Sequence, residues 1–560
     1  EARKAGIPRR AAVSGFGFGG INAHVLVEEW LPERRAAKRG AARTPAPKSE
    51  PVAIVGLGAR FGALADLRAF QEAVLSGKAG ALSRPVERWG GVENSAWFRA
   101  RYLSDTRWNG FFLKELKVDA AAFRIPPKEL EEMLPQQLLM LMTASSALSD
   151  AGWLAGPQGA PAHPWENRDR TGVFIGLGLD LNTTNFHFRW SMARRAADWS
   201  RKLGRPESGA DLAERLRAAA GPALTANRTM GALGGIVASR IAREFQFGGP
   251  SFTLSSEESS GMTALQCAVR FLQRGELDAA VVGAVDVAGD LRAVLAGDAN
   301  RPLSAAGAAR PFDRDADGTV TGEGAACVVL KRLEDALRDG DRVYAVIRGA
   351  GAATGGGCET SVPSSEAYVR ALRRAYDDAG IDPSTVGYLE AHGSGLPAED
   401  RLESASLAEF FGTASSPRPC ALGSAKAVIG HAGAAGGLAS VVKTALALYQ
   451  EILPPLGLTR PNPELEAAAK RFHAPIEPQY WFRNRAEGPR RAGVSSFGMD
   501  GTCLHAVLES LENRPDEQGV QGERRRPLRS RGGGIFLIPG PDAAALKEGL
   551  ARLKGWLSER

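Results

Sequence analysis

Two adjacent carboxylates, Glu257 and Glu258, two histidines flanked by glycine, His392 and His431, and one lysine, Lys426, are the residues best equipped for chemistry. The carboxylates lie in GPSFTLSSEESSGMTALQCAVRFLQR, residues 249–274. A β-rich run enters this segment and a helix leaves it. The helix has apolar residues at Met262, Leu265, Val269 and Leu272, and Gly275 as its C-cap. A side chain at such a turn sits at the positive end of the helix, where a thiol is acidified and an anion is steadied. Nucleophiles suit that place, yet the turn offers only Ser256, Glu257, Glu258, Ser259 and Ser260. Cys267 is nine residues further on, about 13 Å along a helix rising 1.5 Å per residue, and cannot stand in. His392 closes a strand in EAHGSG and His431 follows Lys426 in LGSAKAVIGHAG. Residue type alone leaves each histidine open to a structural or a catalytic reading. The glycines beside both imply close backbone approach.

The elements around these residues alternate. Strands are expected in PVAIVGLGARFG from Pro51, and at 171–178, 252–256, 278–288, 325–333, 342–351, 386–393 and 492–498. Several are apolar on both faces, as in covered central strands. Helical stretches such as Glu131–Ala151 and Met262–Arg274 lie between them, so the fold class is α/β.

An internal repeat sets the domain plan. PRRAAVSGFGFGGINAHVLVE, from Pro8, and PRRAGVSSFGMDGTCLHAVLE, from Pro489, share 11 of 21 positions at an offset of 481 residues. Small solenoids repeat at far shorter intervals, so the offset measures a whole domain. The expected layout is the tail of one domain over 1–30, a linker over 31–50 and a complete domain over 51–511. A basic linker over 512–530 and the start of a further unit over 531–560 follow. Because the chain begins at Glu1 rather than Met, it reads as a piece of a longer polypeptide.

The ordered motifs RPFDRDADGTVTGEG, EAHGSGLPAED, LGSAKAVIGH and RRAGVSSFG, with EEMLPQQLLML before them, resemble those of β-ketoacyl synthases. These are the condensing domains of fatty acid and polyketide synthases, in the thiolase-like superfamily. The resemblance runs from about Pro51 to Ser510. It implies two pseudo-repeated halves in five αβαβα layers, and it aligns Glu258 with the family's nucleophilic cysteine. His392 and His431 correspond to the pair that polarises a malonyl thioester, with Lys426 and Glu323 in support. Backbone N–H groups of Glu258 and Met499 would form the oxyanion hole, in the loop of Phe497, Gly498 and Met499. Three departures touch substrate binding. The usual Phe-Gly-Phe-Gly-Gly loop becomes Phe497, Gly498, Met499, Asp500 and Gly501. Cys503 replaces an Asn, and the loop after Gly351 lacks the Asn-Gly-Leu-Thr-Ala-Pro pattern.

Condensation needs a thiolate that attacks and later leaves, and a carboxylate does neither well. The negative charge suits the helix N-terminus by about 0.3–1 kcal/mol but repels a malonyl carboxylate. The leading expectation is therefore a chain-length-factor-like domain, itself unable to form the acyl thioester. It would pair with an active ketosynthase domain as a pseudo-heterodimer, or with itself when isolated. Such tandems resemble bacterial polyunsaturated fatty acid synthases, in which an acyltransferase domain follows. Residues 531–560 would then be the adapter towards it. Substrates would arrive on the phosphopantetheine of an acyl carrier protein, with no cofactor or metal held by the domain. The alternative is a malonyl-carrier-protein decarboxylase, as in loading ketosynthases with Gln at the cysteine position. A third class is a binding protein on an old scaffold.

Composition bounds these readings. The 560 residues carry 44% hydrophobic and 24% charged residues, ample for a core. No apolar run approaches the roughly 18 residues of a membrane span. Five scattered cysteines without metal spacing suit a reducing, cytoplasmic setting. The net charge of +7 gathers in 34–43 and 524–531 without aromatic interleaving, so nucleic acid is not the expected partner.

Overall fold

A computed structural model describes residues 7–17, 20–31, 50–85, 87–102, 107–119, 122–154, 165–178, 181, 185–204, 209–357, 362–412, 420–482, 488–512, 538, 540 and 542–558. The expected linkers at 31–50 and 512–530 fall almost wholly outside these residues. The chain divides into residues 1–512 and 513–560. Of the second unit, the helix Ala543–Ser558 is described.

The strands are β1 (Arg10–Phe16), β2 (Asn22–Glu28), β3 (Val52–Phe61), β4 (Thr171–Leu177), β5 (Ser251–Leu254), β6 (Ala279–Asp286), β7 (Gly324–Arg332) and β8 (Ala345–Thr354). They continue with β9 (Tyr388–Glu390), β10 (Cys420–Gly423), β11 (Ile452–Leu453), β12 (Phe472–His473), β13 (Gln479–Tyr480), β14 (Arg491–Phe497) and β15 (Thr502–Glu509). Eleven of them form one sheet, ordered β12-β10-β9-β14-β15-β8-β3-β7-β6-β4-β5. Read outward from its middle, the sheet has two halves of one plan. β3, β7, β6, β4 and β5 answer β8, β15, β14, β9 and β10. In each half the first two pairings are antiparallel and the next two parallel. The pairings Val52–Ile347, Ala53–Val346 and Ile54–Ala345 join the halves.

Five layers follow from where the apolar faces go. The helices Ser260–Gln273 and Gly433–Gln450 share one buried cluster with strands of both halves and form the central layer. The helices Pro135–Asp150 and Ile236–Phe245 cover the first half, and Ser365–Ala379 and Pro397–Phe411 cover the second. The expected helix from Glu131 begins instead at Pro135, which fills the first position, where its missing N–H costs nothing. No described helix is long and apolar enough to cross a membrane.

The repeat is a repeat of structure. β1 and β2 pair with Arg10 opposite Glu28 and Ser14 opposite His24. β14 and β15 pair with Arg491 opposite Glu509 and Ser495 opposite His505. Even the Ser–His hydrogen bond recurs, at 2.9 Å in both hairpins. The environments differ. β14 and β15 lie inside the sheet between β9 and β8, whereas β1 and β2 are exposed along their whole length.

Candidate active site

The turn that carries Glu258 is held from three sides. The Ser256 N–H donates to Ser260 Oγ at 2.9 Å, and that hydroxyl donates to the Glu257 carbonyl at 2.5 Å. Glu257 is forced to φ +43°, a conformation that disfavours any side chain. β4 presses on the turn from behind. A Cβ at Gly176 would stand 2.5 Å from the Gly261 nitrogen.

This strained turn delivers the Glu258 carboxylate into a network of alternating charge. One oxygen accepts from the Met499 N–H at 2.9 Å. The other accepts from Arg301 Nη1 at 2.8 Å. The same Nη1 stands 2.9 Å from His431 Nε2. Arg301 Nη2 lies 3.0 Å from Glu399, and the second Glu399 oxygen lies 3.3 Å from His392 Nε2. These last two contacts lack hydrogen-bond alignment: the first is an ion pair, and the second sets a neutral imidazole against a carboxylate. The side chains of Arg301 and Glu399 are 7% and 1% exposed, so water screens little of this.

Protonation follows from the partners. Arginine has only hydrogens to give, so His431 Nε2 must accept, and its proton sits on Nδ1. Burial and then the Arg301 charge hold the His431 pKa well below the usual range. His392 accepts from the Phe497 N–H at Nδ1, 3.0 Å away, which leaves its proton on Nε2 facing Glu399. Burial, followed by the Lys426 charge, lowers its pKa to about 3. Lys426 donates to the His392 carbonyl at 2.7 Å. Burial lowers its pKa to about 8. Burial pushes Glu399 up, but Arg301 and His392 outweigh that and hold it below the carboxylate range.

The structure brings together Glu258, His392, His431, Lys426 and Met499, with the histidine rings 5.8 Å apart. Phe497 stacks on His392 at 4.7 Å, and Gly498 donates its N–H to the Thr502 carbonyl at 2.8 Å in a loop tied by Asp500 to Thr502. Glu323 is not among them. Its oxygens accept from Arg88 at 2.7 and 2.8 Å, from the Leu113 N–H at 2.9 Å and from the Gly289 N–H. It therefore ties loops together, and the glutamates beside His392 are Glu399, 3.3 Å from its ring, and Glu403, which accepts from its backbone N–H at 2.8 Å. Of the expected oxyanion hole, the Met499 N–H is already bonded to the Glu258 side chain.

Sequence reasoning passed over Arg301 and Glu399. Glu399 lies inside the motif EAHGSGLPAED, one turn into the helix that follows His392. Arg301 caps the helix Leu291–Asn300, outside every motif. The signal for it was charge balance, since a partly buried carboxylate at position 258 calls for a cation beside it. A pocket of 270 Å³ opens in front, lined by Glu257, Glu258, Asp286, Arg301, His431 and Met499 among others. Burial, then Glu258 and Asp500, raise the Glu257 pKa. Among the described residues no cluster of metal-binding side chains is found.

The profile of the beta-ketoacyl synthase N-terminal domain matches residues 49–336, and that of the C-terminal domain matches 344–458. The chain belongs to the beta-ketoacyl synthase family. This ketosynthase-family chain is 34% identical over 523 residues to a mycocerosic acid synthase-like polyketide synthase of Mycobacterium tuberculosis (strain ATCC 25618 / H37Rv). The match covers 90% of the chain and 22% of that protein. It is 33% identical over 529 residues to the phthioceranic/hydroxyphthioceranic acid synthase of Mycobacterium bovis (strain BCG / Pasteur 1173P2), across 93% of the chain and 23% of the relative. The chain thus spans under a quarter of either. Among solved structures, the ketosynthase from module 6 of the bacillaene synthase of Bacillus subtilis 168 superposes with a TM-score of 0.65 at 28% identity. That match covers 83% of this chain and 72% of the other. A structure titled PfaC keto synthase-chain length factor gives 0.71 at 25% identity, over 90% of this chain and 47% of the other. The five-layer thiolase-like fold agrees with both.

Proposed function

We propose that residues 51–511 form a non-condensing ketosynthase homologue of a multidomain fatty acid or polyketide synthase, acting as a chain-length-factor-like partner of an active ketosynthase domain. One observation carries the reading. At the strand-to-helix turn, where the family places its thiol, Glu258 holds a carboxylate bound to Arg301 and to the Met499 N–H. A carboxylate in that place forms no acyl thioester, and the amide that would receive a thioester oxygen is already bonded. What remains useful is shape: a packed scaffold and the acid-lined pocket.

The likeness to the PfaC keto synthase-chain length factor supports a paired arrangement. So does the β1–β2 hairpin, which repeats the closing hairpin of this domain without a sheet around it. In this reading residues 1–30 close a preceding ketosynthase domain, and residues 531–560 lead towards an acyltransferase domain. Phosphopantetheine-borne chains on an acyl carrier protein are then shared within the pair. The test is a condensation assay with the full polypeptide, its carrier-bound products sized by mass spectrometry. Enlarging the pocket by Met499→Ala should change product length without abolishing condensation. An unchanged product distribution would count against the reading.

The survival of His392, His431 and Lys426 as one cluster favours a second reading, malonyl decarboxylation. Against it, His431 Nε2 accepts from Arg301 and has no proton to offer a thioester carbonyl.

A further inference from the structure

Glu258 accounts for the missing thiol, but it does not account for His431. Loss of carbon dioxide from a malonyl thioester breaks the bond between the α-carbon and the carboxylate. The electron pair moves into an enolate, whose oxygen needs N–H donors, and a solvent proton then completes an acetyl thioester. In this site the imidazole that would give one such N–H is turned into an acceptor. The group responsible is Arg301, whose Nη1 lies 2.9 Å from His431 Nε2 and 2.8 Å from Glu258.

We propose that Arg301 is a positioning residue that silences His431 independently of Glu258, by fixing the imidazole in the Nδ1–H tautomer. The inference deepens the proposed function and rests on it, because it makes the site doubly disabled. The surroundings fit a dedicated lock. Arg301 is buried, bridges Glu258 and Glu399, and thereby reaches both histidines through one guanidinium. Its planar fork suits that bridging, which a lysine ammonium would not match. Arg301 contacts both Glu258, at 2.8 Å, and Glu399, at 3.0 Å. Replacing Glu258 alone leaves Arg301 in place against His431, whereas replacing Glu258 and Arg301 together removes both members of the ion pair.

Two measurements decide it. The first needs no variant. Nitrogen-15 spectra of histidine-labelled protein should show His431 Nε2 as an unprotonated, hydrogen-bonded nitrogen and Nδ1 as protonated. A protonated Nε2 would overturn the proposal. The second is carbon dioxide release from malonyl-coenzyme A. E258Q should remain at the background rate. E258Q/R301M should exceed it by about a hundredfold, the scale of gaining one oxyanion donor, and H431A in that background should abolish the gain. Release by E258Q equal to that of the double variant would overturn the lock, as would a folded double variant that stays silent. Release by the unaltered protein would instead overturn the proposed function, so the two failures are distinguishable.

Discussion

Around position 258 the decisive quantity is the cost of leaving carboxylates without their cation. Arg301→Met strands Glu258 and Glu399 without their cation, and breaking a buried pair from one side costs about 3–5 kcal/mol. Glu258→Gln with Arg301→Met leaves one stranded carboxylate, Glu399, instead of two and should cost less. Urea denaturation of the two single variants and the double one measures the coupling, and simple additivity would contradict the paired arrangement. The histidines give a pH test. With its pKa at about 3 instead of 6.5, His392 stays neutral while the unfolded chain takes up a proton near 6.5. Its contribution to stability is present above that value and is lost as pH falls towards 3. Its ring resonances should therefore show no imidazole-to-imidazolium step between pH 8 and 5, only the smaller response to Lys426 and Glu403 titrating beside it, and a full protonation step near 6.5 would contradict the burial argument. At this scale the sequence was legible where side chains sit in motifs: Glu258, His392, His431, Lys426 and Met499 do meet. Arg301 was not legible, because a residue chosen to balance a charge has no spacing of its own. Glu323 was misleading, because its motif serves loop anchoring through Arg88 and the Gly289 N–H.

Among the elements, the turn before the helix Ser260–Gln273 carries the strain. Glu257 adopts a costly left-handed backbone that sets the direction in which Glu258 points. Glu257→Gly should relieve this and raise stability by about 1 kcal/mol, read from the denaturation midpoint. A loss of similar size would mean that the Glu257 side chain contributes more than its backbone costs. Strands with continuous apolar runs, β3, β4, β6 and β7, were legible because both faces are covered. β10 and β12 were not, being four and two residues long and specified by their neighbours in the sheet. β15 was not read as a strand, its residues entering only as the end of the repeated sequence.

For the whole molecule, the two-fold plan of the sheet was implied by family resemblance and not by periodicity, since strand order is a tertiary property. The half-sheets end at β5 and β12, and β5 has no partner on its outer side among the described residues. An unpaired edge invites pairing with a second chain. The proposed pairing predicts a dimer at micromolar concentration by analytical ultracentrifugation, formed with itself when the active partner is missing. A monomer alone at that concentration would weigh heavily against it.

If this site performs no carbonyl chemistry, the most direct test is intact-mass analysis of malonyl-loaded carrier protein incubated with the purified domain. An active ketosynthase domain from the same polypeptide serves as the positive control. The malonyl group is expected to stay whole. Loss of carbon dioxide, abolished by His392→Ala, would contradict that expectation and make the domain a decarboxylase.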